Sequence, residues 1–118
     1  MTASRILLVS PDLMVGSRLA GLARACGAAF EQRHGPDASA AGFDLVILDL
    51  QGLREAVAAA VGRLREVPGE GRPPKLVAFG PHVATALLDD ARAAGADAVV
   101  SRGEILGSFA AVLERLCG

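Results

Sequence analysis

The sequence predicts an α/β fold in which a doubly wound, all-parallel sheet of five strands is covered by helices on both faces. The first observation is a series of short apolar runs, three of them continuous rather than alternating. Continuous runs are typical of strands buried on both faces, as in a parallel sheet between two helical layers. The second observation is that segments with helical periodicity separate these runs, as expected for successive βαβ units.

The strands are predicted at residues 5–9, 28–32, 44–48, 75–79 and 97–100. The second strand contains Glu31 and Gln32 and is followed by Arg33, so it is expected at an exposed edge. Right-handed crossovers and one reversal at the first strand predict the order 2-1-3-4-5. The same rules place the first and last helices together on one face.

The first helix is predicted to begin with Ser10 as N-cap, Pro11 at its first position and Asp12 in its first turn, and to stop at Gly27. Gly80-Pro81 is interpreted as the start of a later helix rather than as a phosphate-binding loop. The remaining helices are predicted over residues 53–67, 81–95 and 105–116.

The connection between the second and third strands is unusually short. Only residues 34–43 join them, whereas a parallel crossover normally needs a dozen residues or more. The second helix is therefore expected to be shortened to one or two turns around residues 37–41, or to be missing.

Length and composition limit the class of protein. The chain has 118 residues, which predicts a single domain over residues 1–118, and 52% of them are hydrophobic, enough for a continuous core. Lys and Arg number 12 against 13 acidic residues, and no basic run exceeds two, so no nucleic-acid partner is expected. No membrane partner is expected either, because no apolar run approaches the roughly 20 residues that span a bilayer. The lack of a signal peptide or a long apolar run predicts a cytoplasmic protein.

The two cysteines, Cys26 and Cys117, fit no metal or redox spacing. Each is predicted near the end of a helix, and these two helices share a face and a direction. We therefore expect the thiols to lie within about one helix spacing, roughly 8–10 Å between axes. Free thiols are expected in a reducing compartment, with a disulfide forming only after oxidation.

Ligands of doubly wound sheets bind at the carboxyl ends of the strands. In this sequence that edge carries Asp49 after the third strand and Phe79 to His82 after the fourth. It also carries Ser10, Pro11 and Asp12 after the first strand, and Ser101, Arg102 and Gly103 after the fifth. Asp44-Leu-Val-Ile-Leu-Asp49-Leu resembles the third strand of the receiver domain of bacterial response regulators (CheY-like domains). Arg5-Ile-Leu-Leu-Val and Ala94-Gly-Ala-Asp-Ala-Val-Val are similar to the first and fifth strands of that family. The resemblance covers essentially the whole chain and implies a flavodoxin-like fold.

The resemblance also implies a role for each position at this edge. Asp49 matches the aspartate that accepts a phosphoryl group in the family. The two acids that hold Mg²⁺ there match Ser10 and Pro11, and only Asp12, one position later, supplies a carboxylate.

The other family positions are also changed. The phosphate-binding Ser or Thr matches Phe79, or Gly80 if the register slips by one. The conserved lysine matches Arg102, the cis-proline after it matches Gly103, and the aromatic switch residue matches Val99. The pocket is therefore interpreted as a degenerate one that consists of Ser10, Pro11, Asp12, Phe79, Gly80 and Arg102.

Individual residues keep two interpretations. Asp49 is either a working phospho-acceptor or a carboxylate that is solvated or caps the following loop. His82 is either a general base or metal ligand, or a partly exposed residue in a first helical turn, and His34 is expected to be solvated. Arg102 contacts an anion or a partner, or is a plain surface charge.

Three functions remain open. The first is a non-enzymatic signalling module, a stand-alone pseudo-receiver that contacts another signalling protein or a second copy of itself without any cofactor. The second is a phospho-accepting receiver of a two-component phosphorelay, with Mg²⁺ at Asp12 and Asp49. The third is a flavodoxin-like cofactor binder or enzyme, although the sequence has neither a Ser/Thr-rich phosphate loop after the first strand nor the Asp-x-His-x-x-Gly pattern of corrinoid binders. The partner surface is predicted over residues 83–113, with Arg92, Arg102 and Glu104 as its charged residues.

Overall fold

A computed structural model of the chain describes residues 5–35, 39–53, 55–66 and 73–117. Five parallel strands form one sheet in the order β2-β1-β3-β4-β5, which confirms the predicted topology. The strands are β1 (Arg5–Val9), β2 (Ala29–Arg33), β3 (Leu45–Asp49), β4 (Lys75–Gly80) and β5 (Ala98–Ser101).

Burial along the strands follows their apolar runs. All five residues of β3 are buried, and so are four of the five in β1, because helices cover both faces of these central strands. Strand β2 lies at one edge and is only partly buried, as its polar residues Glu31 and Gln32 predict.

The helices form a layer on each face of the sheet. Their bounds are α1 (Leu13–Ala25), α2 (Val57–Arg65), α3 (Thr85–Ala93), α4 (Arg102–Gly107) and α5 (Phe109–Cys117). Val15 and Leu19 of α1 and Phe109 and Val112 of α5 pack in one core with Ile6, Leu8 and Ile47. Residues of α2 and α3 pack in a second core with Leu7, Val9 and Val46. The first and last helices thus share a face, as predicted.

The predicted start of the first helix was wrong. Asp12, not Ser10, is the N-cap of α1, because its Oδ1 accepts hydrogen bonds from the amides of Met14 (2.9 Å) and Val15 (3.1 Å). Pro11 precedes the helix instead of opening it. The side chain of Ser10 is directed elsewhere by a tertiary contact that local sequence does not reveal.

Three other helix bounds also differ from the predictions. Helix α2 begins at Val57, four residues later than expected, and its predicted end at residues 67–68 lies outside the described residues. Helix α3 begins at Thr85, because a turn in which the amide of Ala84 donates to the carbonyl of Pro81 comes first. This turn leaves Val83 74% exposed. The last predicted helix is divided into α4 and α5 at Ser108.

No helix lies between β2 and β3 in the described part of this connection, residues 34–35 and 39–44, while residues 36–38 fall outside it. Ala40 is buried there, and Phe43 packs against the same core as Leu7. The guanidinium of Arg5 lies 4.6 Å from the centre of the Phe43 ring and donates to the carbonyl of Gly42. The described part of this short loop contacts the start of β1 and packs on the face of the sheet that a crossover helix would otherwise cover.

Cys26 and Cys117 are free, half-buried, and packed against the same core. Their shared face agrees with the predicted helix layout, and disulfide formation on oxidation stays a prediction. Among the helices of the described residues, none is long and apolar enough to cross a membrane.

Candidate functional site

The carboxyl ends of β1 and β3 are joined by a buried hydrogen bond. Ser10 follows β1, Asp49 ends β3, and the Ser10 hydroxyl donates to Asp49 Oδ2 at 2.7 Å. The other oxygen, Oδ1, accepts from the amide of Gln51 at 3.0 Å. Asp49 is only 5% exposed, so water has little access to its carboxylate. Each of the two carboxylate oxygens accepts a hydrogen bond from the protein.

Asp12 links the end of β1 to the start of α4, which lies at the same edge of the sheet. Its amide donates to Ser10 Oγ at 3.0 Å, and its Oδ2 accepts from Arg102 Nη2 at 3.2 Å. Arg102 begins α4, directly after β5. The pKa of Asp12 is lowered, mainly because the Val15 amide donates to its carboxylate, with further contributions from the Met14 amide and from Arg102. These donors favour the ionised carboxylate.

Gln32 lies on the edge strand β2, and its side chain holds the loop that follows β1 by hydrogen bonds. Its Nε2 donates to the carbonyl oxygens of Ser10 (2.9 Å) and Asp12 (3.1 Å). The Gln32 amide occupies space that only a glycine leaves free, since a Cβ at Gly16 would lie 1.9 Å from Gln32 Oε1. Neither Gln32 nor Gly16 could be predicted as a site residue from sequence, because this contact joins α1 to a strand residue that lies 16 positions away in the chain and has no motif around it.

Pro11 closes the site on the side of the β3–α2 loop. A Cβ at Gly52 would lie 2.6 Å from Pro11 Cγ, so the two loops are in close contact. Pro11 has neither an amide proton nor a polar side-chain atom to offer a ligand.

Phe79 and Gly80 supply no polar side chain to this edge. Phe79 pairs with Asp49 in the sheet, but its side chain is 1% exposed and belongs to the core beneath α1 and α5. Its carbonyl accepts from the amide of Leu50 at 2.9 Å. Gly80 pairs with Ser101, whose hydroxyl caps α4 by accepting from the amide of Glu104.

Comparison with solved structures places this arrangement in a known architecture. A response regulator receiver protein from Burkholderia phymatum matches with a TM-score of 0.69 at 22% identity, over 94% of this chain and 95% of its own. A response regulator signal receiver domain from Bermanella marisrubri matches with a TM-score of 0.77 at 20% identity, over 95% and 96% of the two chains. The chain has the receiver fold.

A third receiver structure was solved with a partner. The receiver domain of the Saccharomyces cerevisiae response regulator Ssk1, in complex with the histidine phosphotransfer signalling protein Ypd1, matches with a TM-score of 0.77 at 12% identity, over 98% of this chain and 90% of that chain. No protein-family model and no curated protein matches the sequence.

The residues at the edge of this receiver fold do not fit the Mg²⁺ ion that the family resemblance implies. The position of the acid pair is taken by Ser10, which is bonded to Asp49, and by Pro11. The carboxylate of Asp12 is shared between two backbone amides and the Arg102 guanidinium. The described residues contain no group of three or more His, Cys, Asp or Glu side chains placed to hold a metal ion.

The histidines lie at the surface. His82 is exposed in the turn before α3 rather than in a first helical turn, and His34 is exposed after β2. Val99 of β5 is half-buried against the core beneath α2 and α3.

The three charged residues of the predicted partner surface form separate ion pairs. Arg92 contacts Asp89 at 2.9 Å, Glu104 contacts Arg115 at 3.6 Å, and Arg102 contacts Asp12. Arg102 therefore lies at the carboxyl edge as well as within the predicted partner surface, so its substitution would alter both.

Proposed function

We propose that this chain is a non-catalytic signal-transduction module, a pseudo-receiver that acts through contacts with another signalling protein or with a second copy of itself. The observation that carries the proposal is the Asp49 carboxylate, whose two oxygens accept from Ser10 Oγ and the Gln51 amide. The fold places an aspartate at the end of β3, while the residues around it hold it as a structural group.

Phosphoryl transfer to Asp49 would need compensation of negative charge. A carboxylate that attacks a phosphoryl group must approach other anionic oxygens, and metal ions or guanidinium groups normally neutralise that charge. Here Arg102 is committed to Asp12, and Oδ2 of Asp49 would have to give up its bond to Ser10. These contacts favour the protein-contact function over a phosphorelay.

The test is chemical labelling of the purified chain. We expect that incubation with Mg²⁺ and acetyl phosphate leaves its intact mass unchanged. The matched variant Ser10→Asp/Pro11→Asp restores an acid pair and removes the Ser10 bond, and we expect it to bind Mg²⁺ more strongly than the natural chain.

Stoichiometric labelling of the natural chain that disappears in Asp49→Ala would contradict the proposal. That result would support the phospho-accepting alternative instead. A tightly bound flavin or other organic cofactor, detected by absorbance and mass spectrometry of the protein from its native cells, would support the cofactor-binding alternative.

The partner surface is proposed over α3, β5, α4 and α5. Val83 lies 74% exposed just before α3, and Arg92 and Glu104 are both at the surface. The lack of Trp and Tyr in the chain predicts modest affinity, because those residues anchor most tight interfaces. We expect Arg92→Glu to weaken capture of the native partner, or self-association in sedimentation, while Arg24→Glu on α1 leaves both unchanged. Equal binding by the two variants would place the interface elsewhere.

A further inference from the structure

The outer side of the edge strand β2 carries backbone groups that face away from the sheet. No strand of the described residues pairs with β2 on this side. The carbonyl of Arg33 accepts from the amide of Ser10 and therefore points toward β1. Because the direction of the backbone groups alternates along a strand, the amides and carbonyls of Phe30 and Gln32 point outward. A free row of this kind is a template for pairing with another strand.

The charged side chains beside this edge are self-complementary. Glu31 and Arg33 lie two positions apart in β2, so they project from the same face of the sheet. They form an ion pair at 2.7 Å within the chain, and their side chains are 41% and 56% exposed. Charges at an edge normally oppose self-pairing, because an identical strand brings like charges together. Opposite charges two positions apart remove that obstacle in one antiparallel register.

Antiparallel pairing of two β2 strands defines this register. The outward residues Phe30 and Gln32 must lie opposite outward residues of the other strand, so the register changes only in steps of two. With Gln32 opposite Gln32 of the second copy, Glu31 lies opposite Arg33 on both sides of a twofold axis. The neighbouring registers place Glu31 opposite Glu31, or Arg33 opposite Arg33, which destabilises a strand pair.

Helix α1 adds an exposed apolar residue next to this edge. A Cβ at Gly16 would collide with the Gln32 side chain, so the side of α1 that carries Gly16 faces β2. Leu13 lies three residues earlier and therefore on the same side of the helix, and it is 68% exposed. A twofold axis perpendicular to the sheet places α1 of the second copy on the same face. Pairing through β2 would therefore cover part of Leu13.

We propose that two copies of the chain associate through antiparallel pairing of β2, which joins their five-stranded sheets into one continuous sheet. Gln32 lies at the twofold axis, and Glu31 of each copy pairs with Arg33 of the other. The contact surface is small and polar, so we expect a weak dimer with a Kd of about 0.1 mM. This surface lies at the opposite edge of the sheet from the proposed partner surface, which includes β5, so neither proposal depends on the other.

The experiment is sedimentation equilibrium of the natural chain and of two charge variants at concentrations around this Kd. Glu31→Arg places arginines opposite each other in the dimer, and Arg33→Glu places glutamates opposite each other. Each variant alone should dimerise at least about tenfold more weakly than the natural chain. An equal mixture of the two variants should regain the natural affinity, because opposite charges then face each other across the axis. Loss of the ion pair within each chain cannot explain such a recovery.

Two matched controls lie on α1. Arg18→Glu makes the same charge change at an exposed residue two positions from Gly16, on another side of the helix, and should leave the Kd unchanged. Leu13→Ala should weaken dimerisation by about threefold. Met14→Ala should not, because Met14 is as exposed as Leu13 but is also two positions from Gly16.

Amide hydrogen exchange of the natural chain tests which strand is paired, and it stays decisive if a variant fails to fold. Exchange of the outward Gln32 amide should slow as the protein concentration rises, while that of Arg33, which faces β1, should not change. The proposal would be overturned by constant mass and exchange up to about 1 mM, or by a mixture of variants that stays monomeric. A dimer that Arg92→Glu disrupts and Glu31→Arg does not would also overturn it.

Discussion

Ser10 Oγ lies 2.7 Å from Asp49 Oδ2 and 3.0 Å from the amide nitrogen of Asp12, so one hydroxyl joins two strands and the start of a helix. It donates to the carboxylate and accepts from the amide. Both residues of the Ser10–Asp49 pair are almost fully buried. The carboxyl edge of the sheet is therefore organised around a short polar network among the chain's own residues.

Ser10→Ala is expected to lower the free energy of unfolding by about 1–3 kcal/mol, because it leaves a buried carboxylate oxygen and the Asp12 amide without their partner. Urea unfolding near neutral pH measures this loss. Ser17→Ala on the exposed side of α1 is the control and should change stability by less than about 0.5 kcal/mol. A Ser10→Ala chain as stable as the control variant would show that the network contributes nothing.

Gly16→Ala should destabilise the chain by about 1–3 kcal/mol, since the new Cβ would collide with the Gln32 amide and break its two bonds to the loop after β1. Gly21→Ala is a matched control in the same helix, where a Cβ meets nothing within 4 Å. That control should gain up to about 1 kcal/mol from helix propensity.

The same clash predicts a rescue. In a Gln32→Ala background, Gly16→Ala should become neutral or stabilising, because the colliding amide is gone. Urea unfolding of the four chains in this double-mutant cycle measures the coupling. An unchanged penalty for Gly16→Ala in that background would contradict the contact.

The lowered pKa of Asp12 predicts that the free energy of unfolding depends on pH. Its pKa is lower in the folded chain than in the unfolded one, so its charge stabilises the fold above the ordinary carboxyl range and this contribution is lost as the pH falls through the folded value. Asp12→Asn should be less stable than the natural chain near neutral pH, and the difference should shrink as the pH falls below the ordinary carboxyl range. Urea midpoints at several pH values measure it.

A control for this prediction follows from which groups lower the pKa of Asp12 most. Backbone amides, led by that of Val15, contribute more to its lowered pKa than Arg102 does. In an Arg102→Gln background, the substitution Asp12→Asn should therefore keep most of its pH-dependent effect on stability. Complete loss of that effect would assign it to the ion pair.

Cys117 is expected to react slowly with thiol reagents. Burial raises its pKa, and the charge of Asp44 adds to the effect, so little thiolate exists at mildly alkaline pH. In the Cys26→Ser variant, the rate of reaction with a disulfide reagent should lie below that of a free cysteine peptide and rise as the pH increases. Full reactivity at mildly alkaline pH would contradict the burial.

The sheet could be predicted from sequence because its central strands carry that information locally. Continuous runs such as residues 45–48 indicate burial on both faces, and the alternation with helical segments limits the topology to few choices. Helix starts were harder to predict. A serine followed by proline is a common helix start, but here the Ser10 hydroxyl donates to Asp49, and Asp12 is the cap instead.

The site was only partly predictable for a similar reason. The resemblance identified Asp49 and Arg102 as residues of the edge, but the ion pair of Arg102 with Asp12 joins positions 90 residues apart. The ion pair of Arg63 with Glu55 had no sequence signal either, because an arginine in an amphipathic helix ordinarily faces solvent. Such contacts depend on three-dimensional packing rather than on spacing in the chain.

The sharing of one face by α1 and α5 has a consequence for synthesis on the ribosome. Ile6, Leu8 and Ile47 emerge early, yet the core that encloses them includes Phe109 and Val112 of the last helix. Until that helix leaves the exit tunnel, the face of the sheet that α1 and α5 share is covered only in part. From the emergence of β3 until that of α5, the nascent chain therefore exposes apolar surface on this face. Chaperones and aggregation compete for the chain during that interval.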